Sequence, residues 1–361
     1  MDRSLADLAK EALQRGRPDQ AAAFVQEARR TPPKEPDTLR TLAHVAMVLR
    51  DPSAAADLLD LAIAASPPGA APPEWFRALG ETRVTEGRLS DAIRAFRAAL
   101  VQTPQDAETW QWLARTLRMV DDLPAAVAAC RRAVELAPDE WQARGELALA
   151  LMEAREFDEA AVCFDQATAR AGELPPLVVG RAKLDALCGR RAQAIAALQA
   201  CTARHPKHVP AFAALALALR DERRFEEAVA VFRHATTLRP EDASLWCGLG
   251  RTLLEAGRAE EALGVAASYL EKSPGHAGAL ALEVLARQAL GDEAGAGRLL
   301  DYERFVVRRR LPVPEGFADL TSFNAALAAT VSTHPTLHRA PLRHATAQGL
   351  HSGSLLVDAP A

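Results

Sequence analysis

The chain has 361 residues, 49% of them apolar and 25% charged, a balance that excludes a wholly disordered or fibrous polymer. Aromatic residues reach only 5%, and Ala and Leu outnumber Val and Ile, which favours helix over strand. The 43 basic and 47 acidic residues are interspersed and leave a formal charge of −4, unlike nucleic-acid-binding proteins, whose cations gather in patches or stripes.

Self-similarity at 34 residues organises the chain. Residues 2–35 open the series with Gly16, Ala21, Ala28 and Pro33. Residues 36–69 follow, closing on Pro67, and three extra residues, 70–72, form a loop before the next unit. Residues 73–106 carry Leu79, Gly80, Ala92, Phe96, Ala99 and Pro104. Residues 107–140 are the most regular lane: Trp110, Leu113, Ala114, Leu117, Ala126, Ala133 and Pro138 stand at positions 4, 7, 8, 11, 20, 27 and 32. The register continues through 141–174 (Ala160, Phe164, Ala167), 175–208 (Ala182, Ala194, Pro206), 209–242 (Phe212, Ala216, Ala228, Phe232, Ala235, Pro240) and 243–276 (Trp246, Leu249, Gly250, Ala262, Pro274). Residues 277–310 keep mainly Leu280, Gly291 and Ala296, as befits a terminal repeat with one unstacked face.

Each unit predicts two amphipathic helices, with small residues at positions 8, 20 and 27 letting them approach and larger ones filling between units. Pro at position 32 ends the second helix, and Asp106 and Asp242 are placed to cap the helix that follows. Gly16, Gly87, Gly189, Gly257 and Gly291 occupy position 15, where a positive φ ends the first helix.

These residues resemble the signature of the tetratricopeptide repeat family. The resemblance implies an all-α, right-handed superhelical solenoid of about nine helix-turn-helix units over residues 2–310, followed by a short helix and an extended tail over 311–361. It also implies that first-helix positions 2, 5, 6, 9, 12 and 13 line a concave groove. Read off at those positions, Arg77, Arg115, Arg118, Lys183, Arg220 and Arg251 supply cations, and Trp112, Met119, Leu149, Met152, Val179 and Leu217 supply apolar contact. Glu74, Glu81, Glu108, Glu146 and Glu153 offset part of the charge, so the Arg side chains are as readily solvated partners of these Glu as ligand contacts. The composition suits an acidic or apolar peptide or protein segment, with Arg gripping carboxylates and Met or Trp accepting apolar groups. One subclass of the family clamps chaperone C-termini with Lys, Arg and two Asn. This chain has a single Asn, Asn324, beyond the repeats, which disfavours that partner.

No catalytic constellation, cofactor motif or metal-ligand spacing stands out. His205 and His208 flank Pro206 without a third ligand and read as loop surface. His44 is at most a groove contact, and His234 and His276 have no acidic or Cys partner at metal spacing. Cys130 and Cys201 fall at packing positions 24 and 27 and read as core, not as nucleophiles. The five cysteines are never closer than 13 positions, a pattern of reduced thiols rather than a disulfide framework. With no apolar run long enough to span a bilayer and no leader-like start, a cytoplasmic location is the expectation.

Beyond Arg308, Arg309 and Arg310, whose charges suit a helix C-terminus, Pro312 and Pro314 break the helix, 318–332 reads as one more amphipathic helix, and the region of Pro335, Pro341 and 349–354 reads as loop. The stretch from Phe323 to Leu327, with His334, Pro335 and 344–356, is similar to the segment joining repeats to the catalytic domain in bacterial tetratricopeptide proteins that carry a 2-oxoglutarate and iron(II) oxygenase. No His-x-Asp or His-x-Glu of an iron triad occurs in the chain. Two functions follow: an interaction scaffold without cofactor, or the substrate-recruiting arm of such an oxygenase.

Overall fold

A computed structural model describes residues 4–300, 312–332, 337–339 and 350–352. The Arg308 to Arg310 run, the last residues of the ninth unit, and most of the tail stretch that carries the oxygenase-linker resemblance lie outside the described residues. The chain divides into two compact units, residues 1–163 with 325–361, and residues 164–324.

In the first, helices α1 (Leu5–Gln14), α2 (Pro18–Arg30), α3 (Pro36–Val48), α4 (Pro52–Ala65), α5 (Pro73–Thr85), α6 (Leu89–Gln102), α7 (Ala107–Met119), α8 (Leu123–Leu136) and α9 (Trp141–Glu153) follow one another. Antiparallel neighbours pack as hairpins, α1 on α2, α3 on α4, α5 on α6 and α7 on α8, and the first helices α5, α7 and α9 also touch in succession. α10 (Phe157–Ala171) runs across the division. The second unit repeats the scheme with α11 (Pro175–Leu187), α12 (Arg191–Arg204), α13 (Val209–Asp221), α14 (Phe225–Leu238), α15 (Ala243–Glu255), α16 (Ala259–Leu270), α17 (Ala277–Ala289) and α18 (Glu293–Leu299). α19 (Leu320–Ser332) follows, with Asp319 Oδ1 accepting from the Ser322 amide at 2.7 Å as its cap.

The repeat register explains both the turns and the core. All nine position-15 residues are left-handed: Gly16, Gly87, Gly189, Gly257 and Gly291 at φ of 68–81°, and Arg50, Asp121, Arg155 and Arg223 at 59–65°. That conformation lets the next amide donate back to the carbonyl five residues earlier, as Arg258 does to Leu253 at 2.8 Å and Asp122 to Leu117 at 3.0 Å. Position 24 is the centre of each hairpin, where Phe96, Phe164 and Phe232 are at most 2% exposed. Gly80 accommodates the Phe96 ring, since a methyl at its α-carbon would lie 2.5 Å from that ring. Cys130 and Cys201 are buried at their packing positions, and burial pushes the Cys130 thiol up to about 12, so it is no nucleophile.

Asp106 and Asp242 cap α7 and α15 as expected, accepting from the amides of Glu108 and Ser244 at 3.1 and 3.0 Å. The same register position, 34, holds His208 and His276. Both are caps, His208 rather than the loop surface expected of it: each Nδ1 accepts from the amide three residues on, Ala211 and Ala279, at 3.2 Å. Two three-residue strands, β1 (Leu337–Arg339) and β2 (Leu350–Ser352), pair antiparallel with His338 opposite His351. A reading keyed to Pro and Gly breakers assigns these residues to loop, because breakers mark where regular structure ends and say nothing of a ladder this short.

Candidate partner-binding site

Within residues 1–163, the first helices α5, α7 and α9 bring together most of the residues singled out from the repeat positions. Arg77 on α5 lies 2.5 Å from Glu108 on α7, 3.6 Å from Asp106 and 3.7 Å from Glu81. Burial pushes the Glu81 carboxyl up, Arg77 opposes the shift and Glu108 reinforces it. Arg115 on α7 is 2.8 Å from Glu146 on α9, and its guanidinium sits 5.6 Å from the centroid of the Trp112 ring. Trp112 in turn stacks on Phe96 at 6.2 Å.

Arg118, one turn on, is only 8% exposed. It holds Glu153 with two bonds of 2.9 and 2.8 Å and Glu146 with a third of 2.8 Å. Burial alone would lower its pKa, but the bonds to Glu153 and the charges of Glu153 and Glu146 outweigh it and raise it. Its fork is therefore occupied by two carboxylates from the next repeat. Met119 is 52% exposed beside it, Leu149 is half-buried and Met152 is buried.

Within residues 164–324 the same helix positions show the same division of labour. Arg220 on α13 lies 3.3 Å from Asp221 and 3.7 Å from Glu255 on α15, and Arg251 lies 3.9 Å from Glu255. The Arg220 to Glu255 contact joins position 12 of one unit to position 13 of the next, as Arg118 to Glu153 does. Lys183 is exposed on α11 and has no carboxylate within ion-pair distance among the described residues. Val179 is buried and Leu217 is 39% exposed.

The sequence reading missed four exposed apolar side chains at the same positions: Met47 and Val48 on α3, Leu187 on α11 and Leu285 on α17, between 40% and 56% exposed. Together with Met119 and Leu217 they occupy only positions 9, 12 and 13 of the first helices. The signal was available, since each is an apolar residue in a column that the family resemblance assigns to the groove. Among the described residues no group of three His, Cys, Asp or Glu side chains could hold a metal ion, and no helix is long and apolar enough to cross a membrane.

A family profile described as the tetratricopeptide repeat matches residues 6–70, 77–141, 120–175, 188–236 and 213–277. The chain belongs to the tetratricopeptide repeat family. Among curated proteins, the PEX5-related proteins of Mus musculus and Homo sapiens are each 28% identical over 196 residues, half of this chain and 34% and 31% of theirs. The chain thus matches about a third of the length of these relatives. Among solved structures, a tetratricopeptide repeat protein from Parabacteroides merdae shares the fold with a TM-score of 0.60 and 16% identity, over 70% of this chain and 98% of that one. Yeast Tom70 does so with a TM-score of 0.57 and 16% identity, over 80% and 63%.

Proposed function

We propose that the chain is a protein-interaction scaffold that receives extended segments of other proteins along the first-helix faces within each of its units, gripping them mainly by apolar side chains. The observation that carries this reading is the contrast between two sets of side chains within the same first-helix columns. Met47, Val48, Met119, Leu187, Leu217 and Leu285 stand exposed, while Arg77, Arg115, Arg118, Arg220 and Arg251 each face a carboxylate of the chain itself. At Arg118 an acidic ligand would have to displace two largely buried carboxylates and leave them unpaired, which costs about as much as it gains, and at the other Arg it competes with a carboxylate already in place. An apolar ligand covers surface that is already exposed to water, at about 25 cal/mol per Å². Flexible Met side chains adapt to a range of apolar shapes.

The reading assigns the chain no chemistry of its own and requires no cofactor. Five cysteines, none of them disulfide-bonded, suit a reducing compartment such as the cytoplasm.

Selection of a random 12-residue peptide library on the full chain tests it. Enriched peptides should be rich in Leu, Ile, Met and Phe. Affinity should fall about tenfold or more with Met119→Asp for peptides held by residues 1–163 or with Leu217→Asp for peptides held by residues 164–324, and hold within twofold with Val162→Asp on a second helix, tenfold being about 1.4 kcal/mol. Peptides dominated by Asp and Glu, or affinity insensitive to the first-helix substitutions, would overturn the assignment.

A further inference from the structure

At two seams between consecutive repeats the second helices are joined by an ion pair at fixed register positions. Position 25 of one unit meets position 19 of the next: Arg131 lies 2.9 Å from Glu159, and Arg233 lies 2.7 Å from Glu261. At the seam between residues 73–106 and 107–140 the register puts Arg97 at position 25 and Ala125 at position 19. The cation keeps its place while its carboxylate is missing. Arg97 is exposed, with no carboxylate within ion-pair distance among the described residues.

At this seam a cleft of about 670 Å³ opens between α6 and α8. Its floor is Leu113 and Leu117 of α7, both nearly buried, and its walls include Val101, 83% exposed, and Trp110. Room comes from α8, where Ala128 and Ala129 stand at the positions that Val162 and Cys163 occupy one unit on. Arg132, paired with Glu135 at 2.9 Å, forms part of the lining on the α8 side.

The neighbouring seams are tied across. Arg131 and Glu159 bridge the second helices of the next one, and at the one before, where the cleft measures about 270 Å³, Arg83 of the first helix α5 pairs with Asp60 of α4. A cleft of about 540 Å³ also stands at the α2–α4 seam, but its lining is mostly polar and its Arg29 is paired with Asp57; the cleft at Arg97 is mainly apolar, and its volume lies in the range of small-molecule sites. What the seam lacks, by comparison with the two that carry the pair, is one carboxylate beside Arg97, and by comparison with the next seam, apolar atoms between the two helices.

We propose that this cleft binds a small amphiphilic carboxylate, its headgroup on Arg97 where Glu159 and Glu261 sit at their own seams, its hydrocarbon tail against Val101, Trp110, Leu113 and Leu117. The site lies on the second-helix side and uses none of the first-helix residues assigned above to partner binding, so it stands independently of that reading.

Titration of the full chain with decanoate, below its micellar concentration, tests it through the emission of Trp110, with Trp110→Phe identifying the signal. The expected result is saturable binding that weakens about tenfold or more with Arg97→Gln, with decanol, which lacks the carboxylate, at least tenfold weaker, a tenfold change being about 1.4 kcal/mol. Ala125→Glu supplies the missing counter-ion from within. It should abolish binding while the chain melts at or above the parent temperature, which separates loss of the site from loss of the fold. Absence of saturable decanoate binding, equal binding of decanol, or decanoate binding unchanged by Ala125→Glu would each overturn the proposal.

Discussion

Arg223 and Gly257 stand at the same turn of the repeat, at φ of 59° and 76°. The left-handed conformation costs a residue with a β-carbon about 1 kcal/mol or more, and glycine nothing comparable. Arg223→Gly is therefore expected to stabilise its hairpin by up to about 1 kcal/mol, and Gly257→Ala to destabilise it by about 1 kcal/mol. No atom lies within 4 Å of a β-carbon built on Gly257, so the second effect is one of backbone conformation. Urea unfolding of the two variants measures both. A histidine cap has a different signature. His208 Nδ1 must be unprotonated to accept from Ala211, and burial, then the charge of His205, lowers its pKa. A folded-state value below the unfolded one, about 6.5, means that the cap's contribution is present above that pH and is lost as pH falls through it toward the folded value. His208→Asp keeps an acceptor at acidic pH. The melting temperature of the parent should drop more steeply than that of His208→Asp between pH 7.5 and 5; parallel curves would contradict the capping role.

Between elements, the buried ion pair joining α7 to α9 is the most exacting contact of the first-helix face. Arg118→Met alone leaves Glu153 buried with its main partner gone and is expected to cost about 3–5 kcal/mol, while Arg118→Met with Glu153→Met should recover most of the loss. Chemical denaturation of the two variants decides it, and a single variant as stable as the parent would show that the pair is solvated in solution. Phe232, 2% exposed at the centre of the α13–α14 hairpin, should cost about 3–5 kcal/mol on replacement by Ala. Repeats contact chiefly their neighbours, so hydrogen exchange should accelerate in α13 to α16 and stay near the parent rate in α3 and α4. The hairpins themselves are legible in the sequence because helix period, Pro stops and position-15 turns all agree on one register. The Arg118 to Glu153 pairing is not, although both residues stand in that register. Which positions of adjacent first helices meet depends on the rotation from one repeat to the next, and no spacing within a unit encodes that rotation. The caps of His208 and His276 were legible by analogy with Asp106 and Asp242, and were obscured because imidazole is a rare cap.

Within each unit, substantial contacts join helices adjacent or next to adjacent in sequence, as in repeat proteins whose units contact chiefly their neighbours. The candidate site was half legible: its columns followed from the repeat, but its chemistry did not. Arg residues read from sequence as grips for an acidic partner are matched by the chain's own carboxylates, while Met47, Val48, Met119, Leu187, Leu217 and Leu285 face water in the same columns, beside polar residues such as Lys183 and Gln288. That contrast is the centre of the account. It is tested most directly by the salt dependence of affinity for a library-selected peptide, measured calorimetrically from 50 to 500 mM NaCl. Apolar recognition should leave the affinity within about twofold or strengthen it slightly, since screening acts on exposed charge pairs and not on apolar burial. A fall of about tenfold or more would contradict it and return the Arg residues to the role of ligand contacts.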